Sequence, residues 1–311
     1  MHRHTHSHGH AATSKVMRYS VIATIVYVGV AVVAGIRAHS LALLSEAGHN
    51  VTDVLALLLS WVAIFMQTRP PNATKTFGYH RAGVLAAFVN ALSLVVIAFY
   101  IFYEAVVRFY HPVEVHPRLM IWVAVAGVAM NGVISWFLFN AARDVNVRSV
   151  FIHQLGDTLS TAAVIVGGWA ILWTNRAWID PLLSIGIGAL ILWSSFGIIR
   201  ETLNILLEGA PSGMSTEKIV NVIRALEGVI SVHDVHVWSL GSETHALSCH
   251  IEIADIPPSE SDAILRRVND LLAAKFHIFH TTIQFENCAC EIAHGCVIPV
   301  HHGHDHQHEQ I

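Results

Sequence analysis

The chain has 311 residues, of which 54% are hydrophobic and only 13% are Asp, Glu, Lys or Arg. An ordinary soluble domain carries about 25% charged residues, so this composition indicates a membrane protein and excludes a disordered one. The net charge of −4 leaves no basic surface for nucleic acid, and four cysteines are too few for a disulfide-rich secreted domain. The unusual feature is the content of 23 histidines, many of which alternate with other residues at the two ends of the chain.

Six apolar runs of about 18 residues or more predict helices that span a membrane. These runs are approximately Tyr19–Ile36, Leu41–Met66, Ala82–Val107, Leu119–Phe139, Ser149–Trp173 and Trp178–Ile199. With both termini inside, the inner flanks of the spans hold nine Lys and Arg residues and the outer flanks hold four. Because positive charge accumulates on the cytoplasmic side, we expect a multi-pass protein of the cell (inner) membrane with cytoplasmic N- and C-termini.

After Glu208 the composition becomes more polar, and the pattern predicts a small soluble domain of the order αββαβ. The predicted elements are a helix over Thr216–Leu226, strands over Val229–Leu240 and His245–Ile253, a helix over Pro258–Phe276 and a strand over Thr281–Glu286. We therefore expect a transmembrane transport domain over residues 16–208 and a cytoplasmic metal-binding domain over residues 209–298. Residues 1–15 and 299–311 are His-rich tails of low complexity, which we expect to be disordered.

Two of the predicted spans contain the same pair of ionisable residues. Span two holds His49 and Asp53, and span five holds His153 and Asp157. Positions i and i+4 share one face of a helix, so each pair presents an imidazole and a carboxylate together. Two such faces turned toward each other form a tetrahedral ligand set for a borderline cation such as Zn²⁺. If span five begins nearer Val145 than Ser149, the two pairs also lie at similar depths.

Other readings of these pairs remain open at this point. Each pair is also compatible with a His–Asp packing contact, or with a proton relay that holds no metal. A metalloenzyme is a third alternative, but a catalytic zinc keeps an open position, and we expect no spare glutamate near these ligands to act as a base. An ATP-driven pump is excluded because the chain lacks the Gly-Lys dipeptide of a phosphate-binding loop.

Further motifs lie outside the two ligand pairs. They are Phe77-Gly78-Tyr79-His80-Arg81-Ala82 before span three, Trp178-Ile179-Asp180-Pro181 at the start of span six, and Val232-His233-Asp234-Val235-His236-Val237-Trp238 in the soluble domain. With the paired H-x-x-x-D motifs, the chain resembles the cation diffusion facilitators of the zinc-exporting type over most of residues 16–290. The resemblance implies a homodimer of six-span protomers, a ferredoxin-like cytoplasmic domain, and export of a divalent metal in exchange for protons.

The same resemblance assigns residues to two metal sites. It places His49, Asp53, His153 and Asp157 on the transport site of the family. It also implies a regulatory Zn²⁺ site in the cytoplasmic domain, made of His233, His250 and Glu286. Some relatives have another site in the loop between spans two and three, where this chain offers only His80.

The end of the soluble domain carries three cysteines that the resemblance does not explain. Cys288, Cys290 and Cys296 lie within nine residues of one another. In a reducing cytoplasm these thiols favour a soft-metal ligand set over a disulfide.

The sequence thus predicts a secondary transporter, not an enzyme. Its partners are expected to be divalent metal ions, protons, the lipid bilayer and a second copy of the chain, with no nucleic acid. Zn²⁺ is the expected substrate, and Cd²⁺, Co²⁺ and Ni²⁺ are alternatives. A membrane metal sensor remains the competing hypothesis.

Overall fold

A computed structural model of the protein describes residues 7–141, 145–241 and 244–287. Within these ranges, the side chains of residues 7–21, 134, 135, 137–141 and 145–154 lie outside the description. The chain divides into two compact units, Met1–Thr202 and Leu203–Ile311, which are described separately below.

In the part of the chain that the structure describes, six long helices precede the cytoplasmic domain, in agreement with the six expected. They are α1 (Ser7–Ala38), α2 (Leu41–Gln67), α3 (Ala82–Tyr110), α4 (Pro117–Ala141), α5 (Val145–Thr174) and α6 (Ile179–Leu206). Within the described residues, four helical segments are long and apolar enough to cross a membrane, and Ile22–Ala38 and Pro117–Val133 are shorter apolar helices. Helix α1 begins at Ser7, so the expectation of disorder is wrong for residues 7–15 of the N-terminal tail.

The packing of these helices follows the size of their side chains. Small residues such as Ala42, Ala47 and Ala98 are completely buried in the interior, whereas large side chains such as Trp193 are exposed on the outer faces. Without a hydrophobic driving force between helices in lipid, small residues let the helix backbones approach closely, and large apolar residues face the acyl chains. This arrangement suits a bundle that is solvated by a bilayer.

The second unit has the expected order αββαβ. It consists of α7 (Thr216–Arg224), β1 (Val229–Ser239), β2 (His245–Ile253), α8 (Pro258–Phe276) and β3 (Ile278–Glu286). The sheet order is β1-β2-β3, in which β1 and β2 are antiparallel and β2 and β3 are parallel. Helix α8 makes the crossover between the two parallel strands, as a βαβ connection requires. The fold class is therefore the predicted one, a helical membrane bundle followed by a ferredoxin-like α+β domain.

Strand β2 shows how the sheet separates its two faces. Leu247, Cys249 and Ile251 are buried in a core that also contains Ile219 of α7. Because side chains alternate along a strand, His250 points to the opposite face of the sheet, which the helices leave open. The open face of the sheet carries polar residues such as His250 and Glu252.

Candidate metal centre

Three ligand-type side chains meet between α2 and α5. The Nε2 atom of His49 lies 3.2 Å from Oδ1 of Asp157 and 3.8 Å from Oδ2 of Asp53. One ligand atom from each of the three residues lies within 4.8 Å of the other two. Their side chains are largely buried, with exposed fractions of 16% for His49, 26% for Asp53 and 9% for Asp157.

These separations fit the ligand sphere of a zinc ion. Bond lengths of about 2.0–2.2 Å in a tetrahedron put neighbouring ligand atoms about 3.3 Å apart. The observed 3.2 Å and 3.8 Å bracket that value. A cation of this size therefore fits between His49 and the two carboxylates without a large movement of either helix.

The helix boundaries explain why the two pairs meet. Asp53 lies fourteen residues before the end of α2, and Asp157 lies twelve residues after the start of α5 at Val145. At 1.5 Å per residue, the remaining difference in depth is only about 3 Å. The sequence analysis required span five to begin near Val145 if the two pairs were to lie at similar depths. Helix α5 does begin at Val145.

His153, the fourth predicted ligand, lies in α5 one helical turn before Asp157. Its side chain lies outside the described residues, so its part in the site stays a prediction. The same applies to any geometry that includes all four ligands.

Glu46 is an important residue that the sequence analysis missed. It lies three residues before His49 on α2 and is completely buried. Its Oε2 atom accepts a hydrogen bond from Ser160 and its Oε1 atom accepts one from Thr161, both at 2.6 Å. The expectation of no spare glutamate near the ligands was therefore wrong. The signal was present, because an ionisable residue within an apolar span is a functional candidate by default.

A second group of ligand-type residues lies on the open face of the cytoplasmic sheet. Nε2 of His233 lies 3.1 Å from Oε2 of Glu286, and Nδ1 of His250 lies 2.9 Å from Oε1 of Glu286. The register places His233 directly opposite His250 on the neighbouring strand, with the two ring centroids 5.4 Å apart. Two imidazoles and a carboxylate leave one position open in a tetrahedral zinc site, so the residue types fit this metal.

Asp234 is a second residue that the sequence analysis did not select. Its φ of +49° coincides with a shift in the register of β1 between His233 and His236. This local bulge brings the Asp234 carboxylate to 2.9 Å from Nε2 of His236 and 3.8 Å from Nε2 of His250. The bulge thus adds a carboxylate beside the His233–His250–Glu286 cluster.

The remaining candidates divide between described and undescribed residues. The proposed thiolate set of Cys288, Cys290 and Cys296 lies outside the described residues. Cys249 belongs to the core of the cytoplasmic domain, where burial raises the pKa of its thiol to about 12. In the loop before α3, the described contact of His80 is a backbone one, in which its carbonyl accepts a hydrogen bond from Gln67.

Comparison with known families covers nearly the whole chain. A family model described as the cation efflux transmembrane domain matches residues 17–207, and one described as the cytoplasmic domain of cation efflux proteins matches residues 211–288. The predicted transport site and the His233–His250–Glu286 cluster lie within these matches.

Similar proteins include several bacterial transporters. The zinc transporter ZitB of Pectobacterium atrosepticum is 38% identical, over 98% of this chain and 98% of its own length. A cadmium, cobalt and zinc/H(+)-K(+) antiporter of Bacillus velezensis is 34% identical over 92% of each chain. The metal cation efflux system protein CzcD of Cupriavidus metallidurans is 35% identical over 93% of this chain and 92% of its own.

A solved structure of the metal-bound C-terminal domain of a CzcD transporter is also similar. It is 36% identical, covers 24% of this chain and 99% of its own length, and superposes with a TM-score of 0.22. On the matches to both family models and to full-length relatives, the chain belongs to the cation diffusion facilitator family, and it is a multi-pass membrane transporter of metal cations and not an enzyme.

Proposed function

We propose that the protein exports Zn²⁺ from the cytoplasm in exchange for protons, through a site formed by His49, Asp53, His153 and Asp157. Cd²⁺, Co²⁺ and Ni²⁺ are the secondary substrates. The observation that carries the proposal is the meeting of His49 and Asp157 from two different helices at 3.2 Å, with Asp53 beside them.

The same geometry supports the coupling to protons. Nε2 of His49 faces both carboxylates, so this space holds either a proton on the imidazole or a metal ion between the three groups. Metal ligands must be deprotonated, and binding of metal therefore releases protons. The proton and the metal ion use the same imidazole nitrogen, so a more acidic far side favours release of the metal.

The functions of the relatives support both parts of the proposal. One relative is described as a zinc transporter, and another as an antiporter of cadmium, cobalt and zinc against H⁺ and K⁺. For this chain we assign Zn²⁺ as the main substrate because two imidazoles and two carboxylates suit a tetrahedral borderline cation.

The remaining parts of the proposal concern assembly and placement. The protein forms a homodimer in the cell (inner) membrane with both termini in the cytoplasm. The His233–His250–Glu286 cluster binds a regulatory Zn²⁺ that is not transported. The short ligand distances of 3.1 Å and 2.9 Å within this cluster support that role.

The test is transport by the purified full-length protein in proteoliposomes with an imposed pH gradient. Zn²⁺ flux should increase with the gradient, and it should be accompanied by proton movement in the opposite direction. Asp53→Ala and Asp157→Ala should each abolish the flux, since each removes one ligand and one negative charge. Asp262→Ala removes an exposed carboxylate from α8 and serves as the matched control, with parental flux.

Two results would overturn the proposal. One is near-normal Zn²⁺ flux in either ligand variant. The other is a parental flux that does not respond to the pH gradient, which would mean that transport is not coupled to protons; a metal sensor would instead show no flux at all.

A further inference from the structure

The carboxylate of Glu46 joins α2 to α5 next to the transport site. Both of its oxygens accept a short hydrogen bond of 2.6 Å from a hydroxyl of α5, one from Ser160 and the other from Thr161. Glu46 and Thr161 are completely buried, so water does not compete for these bonds. Hydrogen bonds from a hydroxyl to a carboxylate are about twice as strong as neutral ones.

This bridge lies one helical layer away from the metal ligands on both helices. Glu46 precedes His49 by three residues, and Ser160 and Thr161 follow Asp157 by three and four. The pairing of Glu46 with Ser160 and of His49 with Asp157 shows that the two helices run antiparallel here. At 1.5 Å per residue, the bridge and the ligands are separated by about 5 Å along the helices.

Thr161 connects the bridge to a metal ligand directly. Its hydroxyl lies 2.6 Å from Oε1 of Glu46 and also 2.8 Å from the backbone carbonyl oxygen of Asp157. The single hydrogen of this hydroxyl is shared between the two acceptors, so the Glu46 carboxylate and the Asp157 carbonyl are coupled through one donor. A change in the length or the hydrogen bonding of the side chain at position 46 should therefore change the position of Asp157.

We propose that Glu46 is a positioning residue that, together with Ser160 and Thr161, fixes the separation of α2 and α5 and so sets the size of the cation that the transport site accepts. The inference rests on the proposed function of His49, Asp53 and Asp157 as ligands. The ligands come from two helices, so the distance between these helices determines the metal–ligand distance. A bridged pair of helices favours Zn²⁺, and a pair that can separate accepts a larger ion such as Cd²⁺.

Glu46→Gln is the sharpest substitution because it keeps the shape of the side chain. The amide nitrogen donates instead of accepting, so one of the two α5 hydroxyls loses its charged acceptor at residue 46; Thr161 still has the Asp157 carbonyl as an acceptor. Ser160→Ala and Thr161→Val remove the donors one at a time and leave Glu46 in place. Ser195→Ala is the matched control, because this buried hydroxyl of α6 bonds only the Ile191 carbonyl of its own helix among the described contacts.

The measurement is competitive Zn²⁺ and Cd²⁺ flux in proteoliposomes of the full-length protein. In Glu46→Gln we expect the half-saturating Zn²⁺ concentration to rise roughly tenfold or more, as is typical when a partner of a metal ligand is removed. The Cd²⁺/Zn²⁺ flux ratio should rise as well. Ser160→Ala and Thr161→Val should shift the ratio in the same direction by smaller amounts, and Ser195→Ala should not shift it.

Two outcomes would overturn the inference. The first is a parental Cd²⁺/Zn²⁺ ratio in all three bridge variants, even if the flux of both metals falls equally, because a general loss of packing lowers both. The second is a changed ratio in Glu46→Gln with a parental ratio in Ser160→Ala and Thr161→Val, which would mean that Glu46 does not act through α5. Retained flux in Asp157→Ala would instead overturn the transport site itself, so the two failures are distinguishable.

Discussion

Asp180 at the start of α6 accepts a hydrogen bond of 2.6 Å from the hydroxyl of Ser40, the residue that caps α2. The same carboxylate accepts bonds from the backbone N–H groups of Leu41 at 2.6 Å and Ala42 at 3.2 Å. The first N–H groups of a helix have no partner within the helix, and a carboxylate at this position also interacts favourably with the helix dipole. One transmembrane helix therefore caps another, and the capped helix carries His49 and Asp53.

Asp180→Ala should destabilise the membrane unit strongly. The substitution removes three hydrogen bonds to α2 and leaves Arg108, whose Nη1 atom lies 3.6 Å from Asp180, without that carboxylate. Each buried donor that loses its acceptor in this way costs about 1–3 kcal/mol. The check is thermal unfolding of the purified protein in detergent, with exposed Glu114→Gln as the control. Equal melting temperatures for Asp180→Ala and the parent would contradict this account of the cap.

The helical spacing of the ligand pairs was sufficient to predict part of the geometry of the candidate site. Because i and i+4 share a helix face, the sequence places His49 beside Asp53 without any knowledge of tertiary structure. That Asp157 faces the first pair depends on how α2 packs against α5, which periodicity does not specify. The role of Glu46 was harder to predict, since its partners Ser160 and Thr161 are ordinary polar residues until the two helices are brought together.

In the cytoplasmic domain, the alternation of side chains along β2 predicted which face of the sheet carries His250. The proximity of His233 depends on the register of β1 against β2, which alternation alone leaves open. Asp234 was not selected as a ligand, although the polar pair His233-Asp234 interrupts the alternation of apolar and polar residues in β1. Asp is among the residues that adopt positive φ more readily, but that tendency does not predict a bulge at a particular position.

His233→Ala should remove about one tightly bound Zn²⁺ per chain and leave transport active. The reason is that His233 and His250 share the Glu286 carboxylate, far in sequence from the ligands on α2 and α5. The measurement is the zinc content of the protein after equilibrium dialysis, together with Zn²⁺ flux. His236→Ala is the control, since His236 contacts Asp234 and does not contact Glu286 in the described contacts. An unchanged zinc content in His233→Ala would argue against the regulatory site.

Cys249 should resist alkylation at pH 8 in the folded protein. Burial raises the pKa of its thiol to about 12, so the reactive thiolate is scarce well above neutral pH. For a raised pKa the protonated form is favoured by folding, and this contribution to stability is present below the pKa of the unfolded thiol and is lost as the pH rises toward 12. The test uses a variant with Cys288, Cys290 and Cys296 replaced by Ser, in which only Cys249 remains. Fast labelling before denaturation would contradict the burial of this thiol.

His49→Asp tests the link between ligand type, selectivity and proton coupling. The substitution converts a site of two nitrogens and two oxygens into one of a single nitrogen and three oxygens, and the shorter side chain enlarges the cavity. Larger or harder cations such as Cd²⁺ and Mn²⁺ accept this looser and more oxygen-rich set. We therefore expect the Cd²⁺/Zn²⁺ and Mn²⁺/Zn²⁺ flux ratios to rise.

The same variant should also respond less to pH. A carboxylate with a reference pKa of about 3.9 stays ionised across the range in which an imidazole with a pKa of about 6.5 gains its proton. Loss of the His49 proton site therefore weakens the dependence of metal release on external acidity, and His153 is the imidazole that remains. The measurement is competitive flux in proteoliposomes at several external pH values. If Zn²⁺ transport persists with both flux ratios and the pH profile at their parental values, His49 does not ligate the transported ion, and the 3.2 Å contact between His49 and Asp157 has only a structural role.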